Sequence, residues 1–292
     1  QEVVDVDWYT YYGVHERDLI NLIDVSAGVN GGGREFYGET LNANQSKQTV
    51  SFPTENVITH LPSYCEVDLA ATSSTPSTIE VRMNGSTKTG MTAAISISDN
   101  YTRAEPATVK MESYATTTGR QQAEIEFKNS STGATAYLNY VEVNIPCELK
   151  MHGKAMAICN ASKMMQAPYI RFTMSNASAN TEVWRVTDGV NIQRMTADRN
   201  GDKLIWKDDN TNAEKYVALN PKSTGWLQPT KVGRIKNQNL HALQDIDYVI
   251  ICPEEFKEPA IRLAKKHEEV DNLTWAVVSD EEVYNEFSSG TP

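Results

Sequence analysis

A strand–helix–strand pattern near the carboxyl end constrains the fold of this sequence more than any other feature. DYVIIC (247–252) and LTWAVV (273–278) are short apolar runs of strand length, with PEEFKEPAIRLAKKHEEV (253–270) between them. The middle segment has helical periodicity, with charges opposite one apolar face. That face comprises Phe256, Ala260, Leu263, Ala264 and His267. Two buried strands joined by a helix predict a parallel βαβ unit.

The residues that follow predict the start of a second helix. Ser279 precedes Glu282 by three positions, which is the spacing of a capping box. A parallel sheet is normally covered on both faces, so a sheet of two strands needs further strands. We therefore expect the sequence to be the front part of a larger protein, with its chemistry beyond residue 292. Since the chain starts at Gln1 rather than Met, we also expect that a preceding segment was removed, either by processing or by the choice of the sequence bounds, and a cleaved secretory signal would fit.

Residues 1–180 carry a different pattern, in which short alternating strands are separated by polar turns. Examples are TIEVRM, AAISIS, ATVKMESY, QAEIEF, AYLNYVEVNI and YIRFTM. Many short strands with frequent turns are typical of an antiparallel sandwich, and we predict a jelly-roll-like β-sandwich over 1–180. Residues 181–236 are predicted as a smaller hairpin-rich β region, and 237–292 as the first βαβ unit of a truncated α/β domain. The predicted fold class is therefore mainly β, ending in an α/β segment.

The charge balance limits the partners. Asp and Glu outnumber Lys and Arg by 38 to 27, which gives a net charge of −11. This balance disfavours a nucleic-acid phosphate backbone as a ligand. No apolar run approaches the roughly 20 residues that a transmembrane helix needs. The sequence therefore predicts a globular protein with no nucleic-acid partner and no transmembrane segment.

The four cysteines, at positions 65, 147, 159 and 252, show no zinc-ligand spacing. In YVEVNIPCELKMHGKAMAICN, both Cys147 and Cys159 lie six residues from Gly153. A hairpin around that glycine would set the two thiols opposite one another. Two interpretations stay open, which are a cross-strand disulfide in an oxidising compartment and two small side chains on a buried face. Cys252 ends an apolar strand and is predicted as a core thiol.

Candidate catalytic pairs are few. A nucleophilic cysteine needs a histidine nearby in space. The sequence neighbours that could serve are Cys65 with His60 and Cys147 with His152. Closeness in sequence does not favour such pairs, because catalytic partners are usually distant along the chain. We assign no catalytic, cofactor-binding or metal-binding residue, and we predict no cofactor.

Other groupings have a functional and a structural interpretation each. The loop DRNGD spaces two aspartates and an asparagine as calcium ligands are spaced, but Asp209 stands where the loop requires glutamate. Asn-Gly alone explains the loop as a hairpin turn. The residues concerned are Asp198, Asn200 and Asp202.

The aromatic start of the chain favours either a sugar-binding face or a strand packed on the sandwich; it comprises Trp8, Tyr9, Tyr11 and Tyr12. The acids Glu39, Glu66 and Asp68 could be paired carboxylates, but scattered surface acids are the default at this composition. The glycines at 31–33 are interpreted as a turn.

Several segments together resemble one protein family. They are GGREFYGE (32–39), AYLNYVEVN (136–144), EVWRVTD (182–188), NQNLHAL (237–243), DYVIICPEEF (247–256) and EEVYNEFSSGTP (281–292). In this order, they resemble the N-terminal portion of the sortases of the type IX secretion system of Bacteroidetes, which are gingipain-type cysteine peptidases. NQNLHAL and VYNEFSSGTP are the most specific of the segments.

The resemblance implies that the chemistry lies elsewhere. In the family, VYNEFSSG occurs early in the peptidase domain, and the catalytic His and Cys follow after further strands. His241, His267 and Cys252 match none of those positions, so the resemblance transfers no catalytic residue to this sequence. Full-length members cleave C-terminal sorting domains from cargo and join the new end to an anionic lipopolysaccharide. They are held at the cell surface by an outer-membrane barrel partner.

We therefore expect the non-catalytic front portion of such a sortase. The resemblance implies an extracytoplasmic, outer-membrane-associated location, with the barrel and the cargo sorting domains as partners. Two alternatives stay open. A surface adhesin or carbohydrate-binding β-sandwich would use the aromatic first strand but leaves the βαβ unit unexplained. A self-contained cysteine protease would use Cys65 or Cys147, and would lack a complete α/β sheet.

Overall fold

The computed structural model describes residues 2–23, 26, 28, 34–95, 103–231, 233–234 and 237–290. The chain forms two compact units, Gln1–Gly225 and Trp226–Pro292. The predicted glycine turn at 31–33 and the second half of the predicted strand AAISIS (93–98) lie outside the described residues.

The first unit consists of β-strands joined by turns. In chain order they are β1 (Val3–Val6), β2 (Trp8–Glu16), β3 (Thr40–Asn42), β4 (Lys47–Phe52), β5 (Pro62–Thr72), β6 (Ser77–Met83), β7 (Ser86–Thr92), β8 (Glu105–Tyr114), β9 (Gln121–Lys128), β10 (Thr135–Glu148), β11 (Ala155–Cys159), β12 (Tyr169–Met174), β13 (Glu182–Arg185), β14 (Gln193–Arg194), β15 (Ala197–Asn200), β16 (Lys203–Asp209) and β17 (Lys215–Leu219).

Two antiparallel sheets of this unit form a jelly-roll sandwich. Their strand orders are β2-β10-β5-β8, with β3 beside β10, and β4-β9-β6-β7. The first and last strands, β2 and β10, lie side by side, and the chain crosses repeatedly between the sheets. This is the double Greek-key arrangement of a jelly roll. The predicted antiparallel, jelly-roll-like sandwich is confirmed.

Alternating side chains build the core of the sandwich. In β5, Val67 and Leu69 are buried, whereas the residue between them is partly exposed. This is the period of two that a strand with one buried face requires. Between β7 and β8 the packing is so close that a Cβ on Gly90 would lie 2.6 Å from Val109 Cγ2. Glycine is therefore the residue that fits at this point.

A second pair of sheets completes the first unit. Their strand orders are β1-β12-β16-β15 and β11-β17-β13-β14. They share a buried aromatic cluster, in which the ring of Phe172 lies 4.9 Å from Trp206 and 5.3 Å from Tyr216. The pairing joins β11 and β12 to strands beyond residue 180. The division into domains at 180 and 236 stays a prediction.

The predicted hairpin around Gly153 is wrong. Cys147 lies in β10 opposite Tyr9 of β2, and Cys159 lies in β11 opposite Lys215 of β17. After β10 the chain leaves the jelly roll and enters the second pair of sheets, so its two halves never pair with each other. Both cysteines are free thiols.

The second unit is the predicted βαβ unit with a second helix. Its elements are β18 (Tyr248–Cys252), α1 (Lys257–Asp271), β19 (Trp275–Ser279) and α2 (Asp280–Phe287). β18 and β19 pair in parallel. The capping box is present, because the Ser279 side chain accepts a hydrogen bond from Glu282 N and Glu282 accepts one from Ser279 N. Both predictions made from the local sequence are confirmed.

The apolar side of this unit is only partly covered. On α1, Ala260 and Ala264 are buried but Leu263 is exposed, and so is Phe256, which directly precedes the helix. On β18, Val249 and Ile251 are exposed by 48% and 57%. Parallel sheets normally have both faces covered by other elements, and in this unit two strands and two helices leave these side chains uncovered.

Phe172→Ala tests the aromatic cluster. Removing the buried ring leaves a cavity beside Trp206 and Tyr216, and we expect the free energy of unfolding to fall by about 3–5 kcal/mol. The matched control is Tyr169→Ala in the same strand, whose ring is partly exposed beneath the Lys207 ammonium. We expect that control to lose about 1 kcal/mol or less. Urea unfolding checks both, and equal losses would contradict the interior position of Phe172.

Candidate functional site

The second unit has the carboxyl edge of two parallel strands, β18 and β19. In open α/β sheets, ligands bind beyond the carboxyl ends of the strands. Cys252 and Ser279 end β18 and β19 there and are direct neighbours across the sheet. Ser279 is buried and its hydroxyl serves the capping box, 3.1 Å from Glu282 N. Cys252 is a half-buried free thiol, not the fully buried core thiol predicted from the sequence.

His267 is not a partner for Cys252. Its ring lies 4.8 Å from the ring of Tyr248, which begins β18, whereas Cys252 ends that strand. Four residues of strand span about 13 Å. The Nδ1 atom of His267 lies 2.7 Å from Asp271 Oδ2. His267 therefore belongs to the opposite edge of the sheet.

Glu286 of α2 holds the segment that precedes β18. Its carboxylate accepts hydrogen bonds from Gln238 Nε2 at 2.9 Å and from Leu240 N at 2.7 Å. The same carboxylate lies 2.8 Å from His241 Nδ1. Burial alone would raise the pKa of Glu286, but these hydrogen bonds outweigh it and lower the pKa to about 2. The carboxylate therefore fastens the 238–241 segment to α2.

The other cysteine–histidine candidates are structural. Burial raises the pKa of both the Cys65 and Cys147 thiols to about 12. Because the thiolate is the nucleophile, neither thiol is reactive near neutral pH. His60 is exposed in the turn before β5. Tyr9 lies beside Cys147, and its hydroxyl is 3.4 Å from His152 Nε2.

The three acids singled out in the sequence do not form a pair. Glu39 Oε1 lies 3.0 Å from His15 Nε2. Glu66 binds Lys110 at 2.8 Å, and Asp68 accepts from Thr108 at 2.7 Å. Each acid thus has partners of its own. No group of three or more His, Cys, Asp or Glu side chains in the described part of the chain could hold a metal ion.

The DRNGD loop is the predicted hairpin. Asn200 of β15 pairs with Lys203 of β16, which leaves Gly201 and Asp202 as the two-residue turn. Gly201 has a φ of 63°, which glycine adopts without strain. Asp202 Oδ2 accepts a hydrogen bond from Asn176 N at 3.2 Å. Asp202, the last of the three proposed ligands, therefore binds the protein's own backbone.

The aromatic residues near the start of the chain lie on β2 and divide between the two faces of its sheet. Tyr9 is buried in the core, whereas Trp8 and Tyr11 are half-buried. Only Tyr12 of this group is well exposed. The strand is thus mostly packed on the sandwich, and a sugar-binding face made of these four residues together is not present. No helix among the described residues is long and apolar enough to span a bilayer.

Thiol labelling separates the cysteines. We expect iodoacetamide at pH 8 to modify Cys252 at least about ten-fold faster than Cys65 or Cys147, because burial blocks these two thiols and disfavours their thiolates. Peptide mass spectrometry gives the rates. In urea without reductant all four cysteines should react. If Cys147 and Cys159 react with iodoacetamide in urea only after reduction, they form a disulfide, which would contradict the free thiols of the structure.

Glu286→Gln tests the fastening of the 238–241 segment. At pH 7 we expect faster hydrogen exchange at the Leu240 and His241 amides, since the variant lacks the carboxylate charge. The folded-state pKa lies below the ordinary value of 4.5. The stabilisation is therefore complete above about pH 4.5 and is lost as the pH falls toward 2. The difference in amide exchange rate between variant and wild type should become smaller over that pH range. The control Glu255→Gln, at an exposed position, should exchange like wild type at every pH. A difference that is independent of pH would contradict the role of the carboxylate.

Comparison with known proteins places this geometry in context. Residues 241–292 match the family model of peptidase family C25. No curated protein sequence matches the chain. The fold superposes on the crystal structure of dimeric latent PorU from Porphyromonas gingivalis with a TM-score of 0.78 and 21% identity. The match covers 98% of this chain and 27% of that one.

Weaker likenesses involve the β-sandwich. The carbohydrate-binding module CBM36, solved with calcium and xylotriose, gives a TM-score of 0.25 at 18% identity, over 39% of this chain and 90% of the module. The insecticidal delta-endotoxin Cry8Ea1 from Bacillus thuringiensis gives 0.26 at 17% identity, over 35% of this chain and 19% of the toxin. Scores this low carry no functional argument. The chain as a whole thus has the fold of the N-terminal portion of PorU, and its residues 241–292 match peptidase family C25.

Proposed function

We propose that this chain is the N-terminal, non-catalytic portion of a cysteine peptidase of the type IX secretion system, a sortase that cleaves C-terminal sorting signals from cargo. The observation that carries the proposal is the PorU-like fold over 98% of the chain, combined with the peptidase family match at 241–292. The chain spans 27% of the length of PorU, so the activity belongs to the proposal.

The chemistry of the described residues supports a non-catalytic role. A cysteine peptidase needs a thiolate with a base within hydrogen-bond reach. Cys65 and Cys147 are buried, with thiol pKa values raised to about 12. Cys252 and His267 belong to opposite edges of the parallel sheet. The chain would therefore contribute β-sandwich structure and the first strands of the peptidase domain.

The proposal includes a place and partners. The sortase would work at the outer membrane or cell surface of a Bacteroidetes bacterium. It would bind an outer-membrane barrel protein of the secretion system and the sorting domains of its cargo. The net charge of −11 is compatible with such protein partners and disfavours nucleic acid.

Cargo processing in the source bacterium tests the proposal. Deletion of the whole gene should leave cargo with its C-terminal sorting domain, as detected on immunoblots by a tag in that domain. Restoring the complete gene should restore cleavage. Single Cys→Ala substitutions at 65, 147, 159 and 252 should process cargo within about two-fold of wild type at equal protein level, because none supplies the nucleophile.

Two outcomes would contradict this function. Normal cargo processing after gene deletion would exclude the sortase role. Loss of cleavage in Cys252→Ala, with normal folding and abundance, would place the nucleophile inside this chain. The purified chain of 292 residues should leave a cargo sorting domain intact, and cysteine-dependent cleavage by it would have the same meaning.

A further inference from the structure

The outer face of the β2-β10-β5-β8 sheet displays three exposed tyrosines. Tyr12, Tyr64 and Tyr114 are exposed by 60%, 50% and 52%. They come from three strands, and strand alternation turns all of them away from the sandwich core. Tyr12 and Tyr64 flank Asn144, the residue between them on β10. Two strand spacings separate them by about 10 Å.

Acidic side chains outnumber basic ones on this outward face. They are Glu16, Glu66, Asp68, Glu112, Glu142 and Glu148, against a single base on these outward positions, Lys110. Glu66 and Glu142 are direct cross-strand partners. Like charges directly opposite each other destabilise a sheet. The face therefore contains a pair of like charges that disfavours the pairing of its own strands.

The outer face of the other jelly-roll sheet is different. It carries three acids and three bases, which neutralise each other in a ladder of ion pairs. Examples are Lys47 with Glu124 at 3.2 Å, Arg82 with Glu126 at 2.7 Å and Lys128 with Glu80 at 2.6 Å. The excess of acids on the tyrosine face is thus a local feature and not only a result of the overall composition.

We propose that the tyrosine face binds a polypeptide segment rich in Lys or Arg. A shallow depression of about 290 Å³ lies in the middle of the face. Its polar lining is Tyr64, Glu66, Lys110, Glu112, Glu142 and Asn144. Aromatic rings attract cations, and carboxylates bind them by charge-assisted hydrogen bonds. The Lys110 ammonium lies 2.8 Å from Glu66 Oε2 and neutralises one carboxylate, so the acids of this face still outnumber its bases.

The size of the face predicts weak, reversible binding. Four strands about 4.8 Å apart, each with four or five outward residues, present roughly 500–600 Å². That is below the roughly 800 Å² per partner of a stable interface. Electrostatic attraction would then govern association, which makes the binding strongly dependent on salt.

Fluorescence anisotropy with the 292-residue chain tests the proposal. The probes are a fluorescein-labelled peptide of about twelve residues with alternating Lys and Ser, and its Glu/Ser counterpart. We expect the lysine probe alone to bind at low salt, and its affinity to fall at least about ten-fold at 0.5 M salt. Tyr64→Leu should weaken binding about two- to five-fold, whereas Tyr64→Phe, which keeps the ring, should bind like wild type.

Charge variants separate this face from the general acidity of the chain. The double variant Glu112→Gln/Glu142→Gln removes the carboxylate opposite Tyr64 and the one that accepts a hydrogen bond from the Tyr12 hydroxyl, and should weaken binding by at least about five-fold. The controls are Glu55→Gln, an exposed acid elsewhere in the first unit, and Met91→Ala, an exposed side chain of the other sheet. Both should bind like wild type.

Three results would overturn the inference. These are no binding of the lysine probe, equal binding of the glutamate probe, and equal weakening by the control variants. A neutral oligosaccharide that binds in a Tyr64-dependent manner, while the lysine probe does not, would assign the face to sugars instead. The inference does not rest on the sortase proposal, because its readout is peptide binding and not cargo cleavage.

Discussion

The pairing of β10 is the constraint on which the first unit depends. This strand of 14 residues lies between β2 and β5 and also pairs with β3. Its inward residues Val141, Val143 and Ile145 are completely buried. A slip of one residue would turn all of them to solvent and bring the outward carboxylates into the core. The burial of these side chains therefore fixes the register of three neighbouring strands at once.

The same register explains features that are remote from the core. It sets Asn144 between Tyr12 and Tyr64, and it sets Glu142 opposite Glu66. Near the end of β10, Cys147 pairs with Tyr9 of β2. Directly after β10, Leu149 N donates to Asp7 O at 2.7 Å, and the chain then continues into the second pair of sheets. This path excludes a disulfide between Cys147 and Cys159, since the two cysteines lie in different sheets.

Local patterns predicted the elements that depend on neighbouring residues. The βαβ unit, the Ser279–Glu282 capping box and the hairpin after Asn200 all follow from residues a few positions apart. The jelly-roll class followed from the number and spacing of strands, although their order did not. The Gly153 prediction failed because a symmetric strand–turn–strand pattern does not reveal that the two strands join different sheets. Glu286 was missed because its partners, such as Leu240, lie more than forty residues away.

The predicted apolar face of α1 failed for a related reason. Helical periodicity shows which side chains share a face, but not how much of that face has a neighbour. In this unit the small residues Ala260 and Ala264 make the contact with the sheet, while Leu263 stays exposed. Two strands offer too little surface to cover a full helical face, just as they leave Ile251 uncovered.

The two outer faces of the jelly roll show how the same fold can separate stability from recognition. On one face, Arg82 lies among Glu124 and Glu126, so cross-strand attraction supports the sheet that carries it. On the other face, the acids exceed the bases and part of the repulsion stays uncompensated. A cation from a binding partner would therefore stabilise that face more than it would stabilise the other face, whose charges already neutralise each other. The repulsion tolerated within the folded chain thus becomes a source of affinity for a basic partner.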